Sequence, residues 1–451
     1  MRPALLLPVA AVTALLALPA GAFAAPYVPG QVIVNYRDGS SQAVKDKIQR
    51  KAGAKLKTRL AGGSRELEIK DGESVPETLA ELRADPNVEY AVPNYIARVA
   101  RFIPNDTAFR RQWNFFGPWS INAPDAWTLA ARAGASGGRG AIVAVIDTGI
   151  AYRTVTQRER VWLGGGKQRI RFRRAPDLHP RRFVRGYDYI GRDRSPNDLN
   201  GHGTHVAGTI AQTTNNRYAA AGIAYRSRIM PIRAMDADGY GDAVAISRAI
   251  RYAARHNADV INLSVQFDGS VRAWMIPDIL SALRYARSRG VVTVAAAGNE
   301  GDNAVAYPAR SGYVIAVGAT TARGCQAEYS NGGTGIDLVA PGGGFDAANS
   351  DNPSDAAHCR SDGAGRTILQ QTFTTSLRSF GLPGDYEGTS MSVPHVSGTA
   401  ALVIAARRLG RNPSPRAIEL HLERTAHDLG PAGFDYRYGE GLIDAAAALR
   451  R

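Results

Sequence analysis

From about residue 104 to the end of the chain, short apolar runs alternate with amphipathic stretches of helical period, and this order constrains the fold more than any other feature. The apolar runs are Ala141–Ile146 (AIVAVI), Ile229–Ala234, Val260–Val265, Val291–Ala296, Val314–Val317 and Ile336–Val339. Among them His205–Ala211, Ala243–His256 and Asp278–Arg289 read as helices, the last stopped by Gly290. Strands that are almost wholly apolar need cover on both faces. The pattern therefore predicts an α/β fold with a mostly parallel central sheet flanked by helices. In such sheets ligands meet the carboxyl ends of the strands. Asp147 directly follows AIVAVI, and Asn299 follows VVTVAAAG.

The first hundred residues have a different rhythm. Arg2, the apolar run Ala4–Leu18 and the small-x-small triplet Ala22-Phe23-Ala24 form the pattern of a secretory signal peptide over residues 1–24. The mature protein is then expected outside the cytoplasm, extracellular or periplasmic, with no membrane attachment after the leader is removed. There a Cys325–Cys359 disulfide is chemically allowed, and neither of these two cysteines has a metal-binding spacing. Behind the leader, Gln31–Tyr36, Lys55–Leu60, Arg65–Lys70 and Val88–Val92 read as strands, and Gln42–Lys51 and Val75–Arg83 as helices. This β-α-β-β-α-β order predicts a small α+β, ferredoxin-like unit of one sheet with two helices on one face. It has no His or Cys and no clustered carboxylates, so no chemistry is expected in it.

A composition of 44 % apolar and 21 % charged residues excludes a disordered, collagenous or multi-span membrane chain. The formal charge of +15 invites a nucleic-acid reading, but much of the excess is local. Between Arg153 and Arg185 stand ten Arg and Lys167 against only Glu159 and Asp177. The few aromatics among them do not repeat as in an RNA-binding sheet, so the stretch reads as a basic surface loop and no nucleic-acid partner is expected.

Three segments combine Gly with a functional side chain: VIDTGI at Val145–Ile150, NGHGTHVAGT at Asn200–Thr209 and EGTSMSVPHVSG at Glu387–Gly398. Each alone is compatible with a turn or a helix cap. Together they supply a carboxylate, an imidazole and a hydroxyl in the order Asp147, His202, Ser390. A serine hydroxyl is a poor nucleophile unless a base accepts its proton, and a carboxylate beside that base fixes its tautomer.

With these blocks in this order, and with AAAGNE at Ala295–Glu300, the chain resembles the subtilisin-like serine peptidases, the subtilases. The first unit resembles that family's inhibitory propeptide, with YVPGQVIV and VEYAVPN as its flanks. The resemblance is weakest in 151–200 and 342–385. It implies a serine endopeptidase that hydrolyses polypeptides through an acyl-enzyme, needs no cofactor for catalysis and is made as a self-processing zymogen. Ser390 would be the nucleophile, His202 the base, Asp147 its orienting partner, and Asn299 an oxyanion donor beside the Ser390 backbone N–H. His205 and His395 would be structural. The implied organisation is leader 1–24, propeptide 25–102 and peptidase domain 103–451, with maturation between about Ala97 and Asn105. The propeptide would assist folding of the slow-forming sheet and inhibit through its tail, around Pro93–Phe102. The mature enzyme is expected to be a monomer.

By the same resemblance Leu263, Ser264 and Val265 line one wall of the pocket for the residue before the scissile bond. Ala296, Ala297 and Gly298 form the opposite wall, and Ala306 lies near the floor. A small floor implies an apolar pocket that admits a large side chain, with Glu300 at its rim. Gln266-Phe267-Asp268 departs from the Gly that relatives commonly carry after this strand. Asn215–Ala220 resembles the loop that supplies an Asn side chain, here Asn216, and backbone carbonyls to a structural calcium ion, with Asp106 as a partner carboxylate. Ser390 is expected where a helix begins, with Pro394 in its first turn and Val396–Leu409 continuing to Gly410.

Overall fold

Val143 and Val145 point to one side of a strand and Ala144 and Ile146 to the other, and all four are fully buried, in two separate cores. That strand is the middle of a covered sheet. The computed structural model describes residues 27–70, 73–96, 101–347, 359–360 and 365–450. The leader expected at 1–24 and part of the expected maturation stretch lie outside the described residues. Two units are present, Met1–Ala100 and Arg101–Arg451.

In the first unit the elements are β1 (Tyr27–Tyr36), α1 (Gln42–Lys51), β2 (Ala54–Arg59), β3 (Arg65–Ile69), α2 (Val75–Arg83) and β4 (Val88–Tyr95). The strands form an antiparallel sheet in the order β2-β3-β1-β4. Its core joins Val32, Val34 and Leu67 from the strands to Ile48, Leu79 and Leu82 from the helices. Ser74 and Glu77 cap α2 reciprocally, satisfying two backbone donors at its start.

The second unit contains α3 (Ala123–Arg132), β5 (Ile142–Asp147), β6 (Val155–Arg160), β7 (Lys167–Phe172), β8 (Tyr187–Asp188), α4 (His202–Ala211), β9 (Arg228–Arg233), α5 (Ala243–Arg255) and β10 (Val260–Leu263). It continues with α6 (Pro277–Ser288), β11 (Val292–Ala296), β12 (Ile315–Thr320), β13 (Leu338–Pro341), β14 (Thr372–Phe373), β15 (Phe380–Gly381), α7 (Thr389–Ala405), α8 (Pro415–Arg424) and α9 (Ala445–Leu449). Seven strands form a parallel sheet in the order β13-β12-β11-β10-β5-β9-β8. Helices α5 and α6 cover one face, while α3, α4, α7, α8 and α9 cover the other. After β5 the chain runs out to the edge strand β8, comes back inward to β9 beside β5, and then crosses to β10 on the other side of β5. The end of β5 is therefore a topological switch point, and Asp147 stands there.

Two expectations need correction. The arginine-rich stretch is not simply a loop: β6 and β7 pair antiparallel from Val155↔Phe172 to Arg160↔Lys167. The period-2 pattern is hard to see because the exposed positions carry arginine, whereas Glu159 and Phe172 on the other face are buried. Secondly, α7 already begins at Thr389, so Pro394 lies inside the helix and not in its first turn. Proline removes one internal N–H donor, and the Ser390 carbonyl four residues back is satisfied instead by the Ser264 hydroxyl at 2.9 Å.

Candidate active site

Asp147 ends β5, is 1 % exposed, and accepts the Thr148 N–H at 2.7 Å on Oδ1. The same oxygen lies 2.7 Å from His202 Nδ1, at the first residue of α4. Gly203 allows this approach, because a Cβ there would stand 2.1 Å from the Gly149 carbonyl and 3.1 Å from Asp147 Cβ. The start of α4 is held by Asp198. Its Oδ1 accepts from the Thr148 hydroxyl and the Asn200 and Gly201 N–H groups, each at 2.9 Å, and its Oδ2 accepts from Thr204. Burial pushes the His202 imidazolium towards deprotonation, but the charge and hydrogen bond of Asp147, with the charge of Asp198, outweigh it and raise the pKa above the ordinary histidine value.

Ser390 is the second residue of α7, after Gly388 at the N-cap. Its hydroxyl donates to the Ser264 carbonyl at 3.3 Å rather than to His202. Both Ser390 and His202 nonetheless line one cavity of about 370 Å³, together with Asp147 and Asn299. Asn299 Oδ1 accepts from the Thr389 N–H at 2.8 Å and hydroxyl at 2.9 Å, which leaves its Nδ2 donor available to the cavity. The Ser390 N–H belongs to the first helical turn, where backbone donors have no partner within the helix. Asn299 and Ser390 thus line one space with His202, whose Nδ1 is committed to a carboxylate.

The other two histidines of the motifs are interior groups. His205 Nε2 meets the Ile368 carbonyl at 3.0 Å and its ring stacks on Tyr386, with burial pushing the pKa down to about 3. His395 sits between Asn114 and the Met391 carbonyl, and burial pushes it down to about 4. Both are neutral near pH 7.

Of the expected pocket residues, Ser264 and Val265 line the cavity. Leu263, Ala296, Ala297 and Ala306 are buried and do not line it, and the Ala306 N–H donates to the Ala297 carbonyl at 2.7 Å. Gly298 is bonded through its carbonyl to the Asn331 N–H at 3.0 Å. Gln266, from the strand extension after β10, donates through Nε2 to Glu300 Oε1 on the extension after β11. Asn331 fixes Glu300 from behind, by Nδ2 to Oε2 at 2.8 Å.

Residues 138–441 match the subtilase family, and residues 18–94 match the fervidolysin N-terminal prodomain. The chain belongs to the subtilase family. It is 34 % identical over 416 residues to a thermophilic serine proteinase of Bacillus sp. (strain AK1), a match covering 92 % of this chain and 86 % of the relative. An extracellular protease of Xanthomonas campestris pv. campestris is 31 % identical over 479 residues, with 92 % of this chain and 72 % of the relative covered. Among solved structures, a protease of Pseudoalteromonas arctica PAMC 21717 matches with a TM-score of 0.59 at 31 % identity, over 77 % of this chain and 98 % of that one. The protein is accordingly a subtilase serine peptidase with a prodomain.

The structure adds residues of this subtilase that sequence reasoning missed. Met235, Asp238 and Gly239, on the loop after β9, line the cavity. Their position beyond a strand's carboxyl end, in a stretch with two glycines, was the available signal. Asp177, hidden in the arginine-rich segment, accepts from Asn216 Nδ2 at 2.5 Å and Gln212 Nε2 at 2.8 Å. Burial, reinforced by the charge of Asp106, pushes the Asp177 carboxyl up to about 7. Asp106 Oδ1 and Gln212 Oε1 are buried with no hydrogen-bond partner among the described residues. Two close carboxylates and unpaired oxygens fit a hard cation such as calcium, provided the Asn216 amide turns its oxygen inward. Cys325 and Cys359 form a disulfide with Cα atoms 5.7 Å apart.

Proposed function

We propose that this subtilase is a secreted endopeptidase, made as a self-processing precursor, with Asp147, His202 and Ser390 as its catalytic triad. The observation that carries the reading is the 2.7 Å contact of Asp147 Oδ1 with His202 Nδ1, beside Ser390 in one cavity. With Nδ1 so engaged, His202 Nε2 is the free ring nitrogen. The Ser390 hydroxyl turns from the Ser264 carbonyl, gives its proton to Nε2 and bonds through Oγ to the substrate carbonyl carbon. Asn299 Nδ2 and the Ser390 N–H donate to the resulting oxyanion. Loss of such a side-chain donor costs ~10²–10³-fold in turnover. His202 passes the proton to the leaving amine as the C–N bond breaks, and water repeats the cycle on the acyl-enzyme.

Secretion is supported by the leader pattern, by the disulfide and by the extracellular Xanthomonas relative. Among the described residues no helix is long and apolar enough to cross a membrane. Residues 25–102 would act as intramolecular inhibitor and folding aid. Asp106, Asp177 and Asn216 would hold a structural calcium ion that takes no part in catalysis.

Wild type and Ser390→Ala, purified side by side, test the reading by intact mass and casein digestion. Wild type should lose residues 25 to about 102 and digest casein, while Ser390→Ala stays long and inert. Equal processing of both, or no digestion by wild type, would assign processing to another enzyme or leave the site silent.

A further inference from the structure

The two segments in which the sequence departs most from the subtilase pattern, 151–200 and 342–385, meet in the structure. A concavity of about 510 Å³ is lined by Thr154, Arg171, Phe172 and Arg173 from the first and by Ser376, Arg378 and Ser379 from the second. Arg171, Arg173 and Arg378 are all exposed. Among the described residues none of the three forms an ion pair; Arg173 donates only to the Arg378 carbonyl, at 3.1 Å. The remaining lining is hydroxyl-rich, with the Ser376 and Ser379 hydroxyls 3.1 Å apart. Three guanidiniums, three hydroxyls and no carboxylate make a pocket whose chemistry suits an anion.

The pocket continues a charged face. On the β6–β7 ribbon Arg158 lies directly opposite Arg169, Arg160 opposite Lys167, and Thr156 opposite Arg171. Like charges across an antiparallel pair are destabilising. Asp193 relieves this at Lys167, with Nζ and Oδ2 3.6 Å apart. Among the described residues no carboxylate pairs with Arg158, Arg169 or Arg171, so that part of the face costs stability unless an anion covers it. Nor is the ribbon loosely attached. Fully buried Arg233 pairs with Glu159 of β6 at 3.2 Å and with Asp188 at 3.0 Å, and donates to the Arg160 and Val161 carbonyls. Arg233 is itself the register partner of Asp147 in the central sheet. The basic face is therefore anchored to the strand beside the active site.

The pocket is also near the scissile position. The Thr372 hydroxyl donates to the Gly201 carbonyl at 2.5 Å, immediately before His202. From Thr372 to Ser376 the chain spans at most ~14 Å. Side chains on one face of an extended peptide repeat every ~6.8 Å, which is also the spacing along Lys167, Arg169 and Arg171 on their strand.

We propose that the Arg171–Arg173–Arg378 pocket, with the cationic face of the ribbon, is a docking site for acidic stretches of the polypeptides that this enzyme cuts. The substrate role rests on the peptidase reading above. A polypeptide is favoured over other polyanions because polypeptide is what the neighbouring cleft receives and because its carboxylates match the strand spacing.

Binding is tested on the full Ser390→Ala chain with fluorescein-labelled hexaglutamate, hexaserine and hexathymidylate. Hexaglutamate should bind more tightly than hexaserine and weaken as salt rises. Arg169→Gln/Arg171→Gln/Arg378→Gln in the same chain should weaken it ~10-fold. In active enzyme, one cleavable peptide extended by six glutamates should show a ~10-fold lower KM than the same peptide with six serines, at equal kcat. The triple variant should erase that difference yet cut the serine peptide as well as wild type does. Equal binding of hexaglutamate and hexaserine, equal binding by the variant, equal KM values, or binding of hexathymidylate alone would each overturn the proposal. The binding arm needs no catalysis. Failure of the peptidase reading would show separately, as absent casein digestion with the binding result intact.

Discussion

Ser264 and Ser390 exchange hydrogen bonds: the Ser264 hydroxyl donates to the Ser390 carbonyl at 2.9 Å, and the Ser390 hydroxyl donates to the Ser264 carbonyl at 3.3 Å. The first bond exists because Pro394 has no N–H to offer that carbonyl. Asn262 Nδ2, donating to Ser264 Oγ at 2.9 Å, aims the hydroxyl proton away from itself and towards Ser390. Ser264 is thus both a wall of the cavity and a clamp on the turn that carries Ser390, the proposed nucleophile.

Ser264→Ala should leave the Ser390 carbonyl unpaired and cost ~1–3 kcal/mol of stability. Urea unfolding of Ser264→Ala in a Ser390→Ala background, where autolysis cannot interfere, reads this directly. An unchanged midpoint would show that the clamp contributes nothing.

His202 is held above its ordinary pKa by Asp147 against the opposing effect of burial. In its proposed role of general base it would work when neutral, so activity should fall as pH drops through the raised pKa. Asp147→Asn removes the two largest raising influences and leaves burial opposed only by the smaller effect of Asp198, so the acid limb of kcat/KM should move to lower pH. Turnover should fall ~10⁴-fold because the tautomer is no longer fixed. A variant whose acid limb stays in place would show that Asp147 does not set the His202 charge.

The frame of this fold was legible because burial on both faces writes itself into sequence: AIVAVI, its parallel neighbours and helices such as Ala243–Arg255 stand where periodicity puts them. Asp147, His202 and Ser390, which the proposed function takes as the triad, stood out in the sequence because turns at strand ends and helix starts seldom need a carboxylate, an imidazole and a hydroxyl. What escaped was contact between distant segments. Asp198, which organises the start of α4 through Thr148 and Thr204, looks like any loop aspartate in a one-dimensional view. Asp177 was obscured by the arginines around it. The β6–β7 ribbon was obscured because its alternation depends on Glu159, a charged residue that belongs inside only because Arg233 waits there.

Asp177 also predicts how stability depends on pH. Its carboxyl, raised to about 7 by burial and then by the charge of Asp106, binds its proton more tightly in the folded chain than in the unfolded one. That contribution is fully present below about pH 4, the usual carboxylate value, and is lost as pH rises through about 7. In chelator, the melting temperature of the Ser390→Ala chain should therefore fall over this window. Added calcium should restore it by neutralising the pair. Asp177→Asn should flatten the chelator profile and abolish the calcium response. A calcium response that survives Asp177→Asn would place the ion elsewhere.

Gln266 and Glu300 meet across the mouth between the extensions of β10 and β11, with Asn331 buttressing the carboxylate. The substrate pocket proposed between these two extensions would therefore be spanned by a polar bridge. Small side chains before the scissile bond should be preferred, since a large ring would have to break that bridge. Gln266→Gly should raise kcat/KM for a peptide with Phe at that position ~10-fold relative to one with Ala. The Ala peptide itself should be cut at nearly the wild-type rate, because Gln266 donates nothing to the reacting atoms. If both peptides gain equally, the bridge limits access to the whole cleft and does not select among side chains; if neither changes, the Gln266 side chain already swings aside in solution.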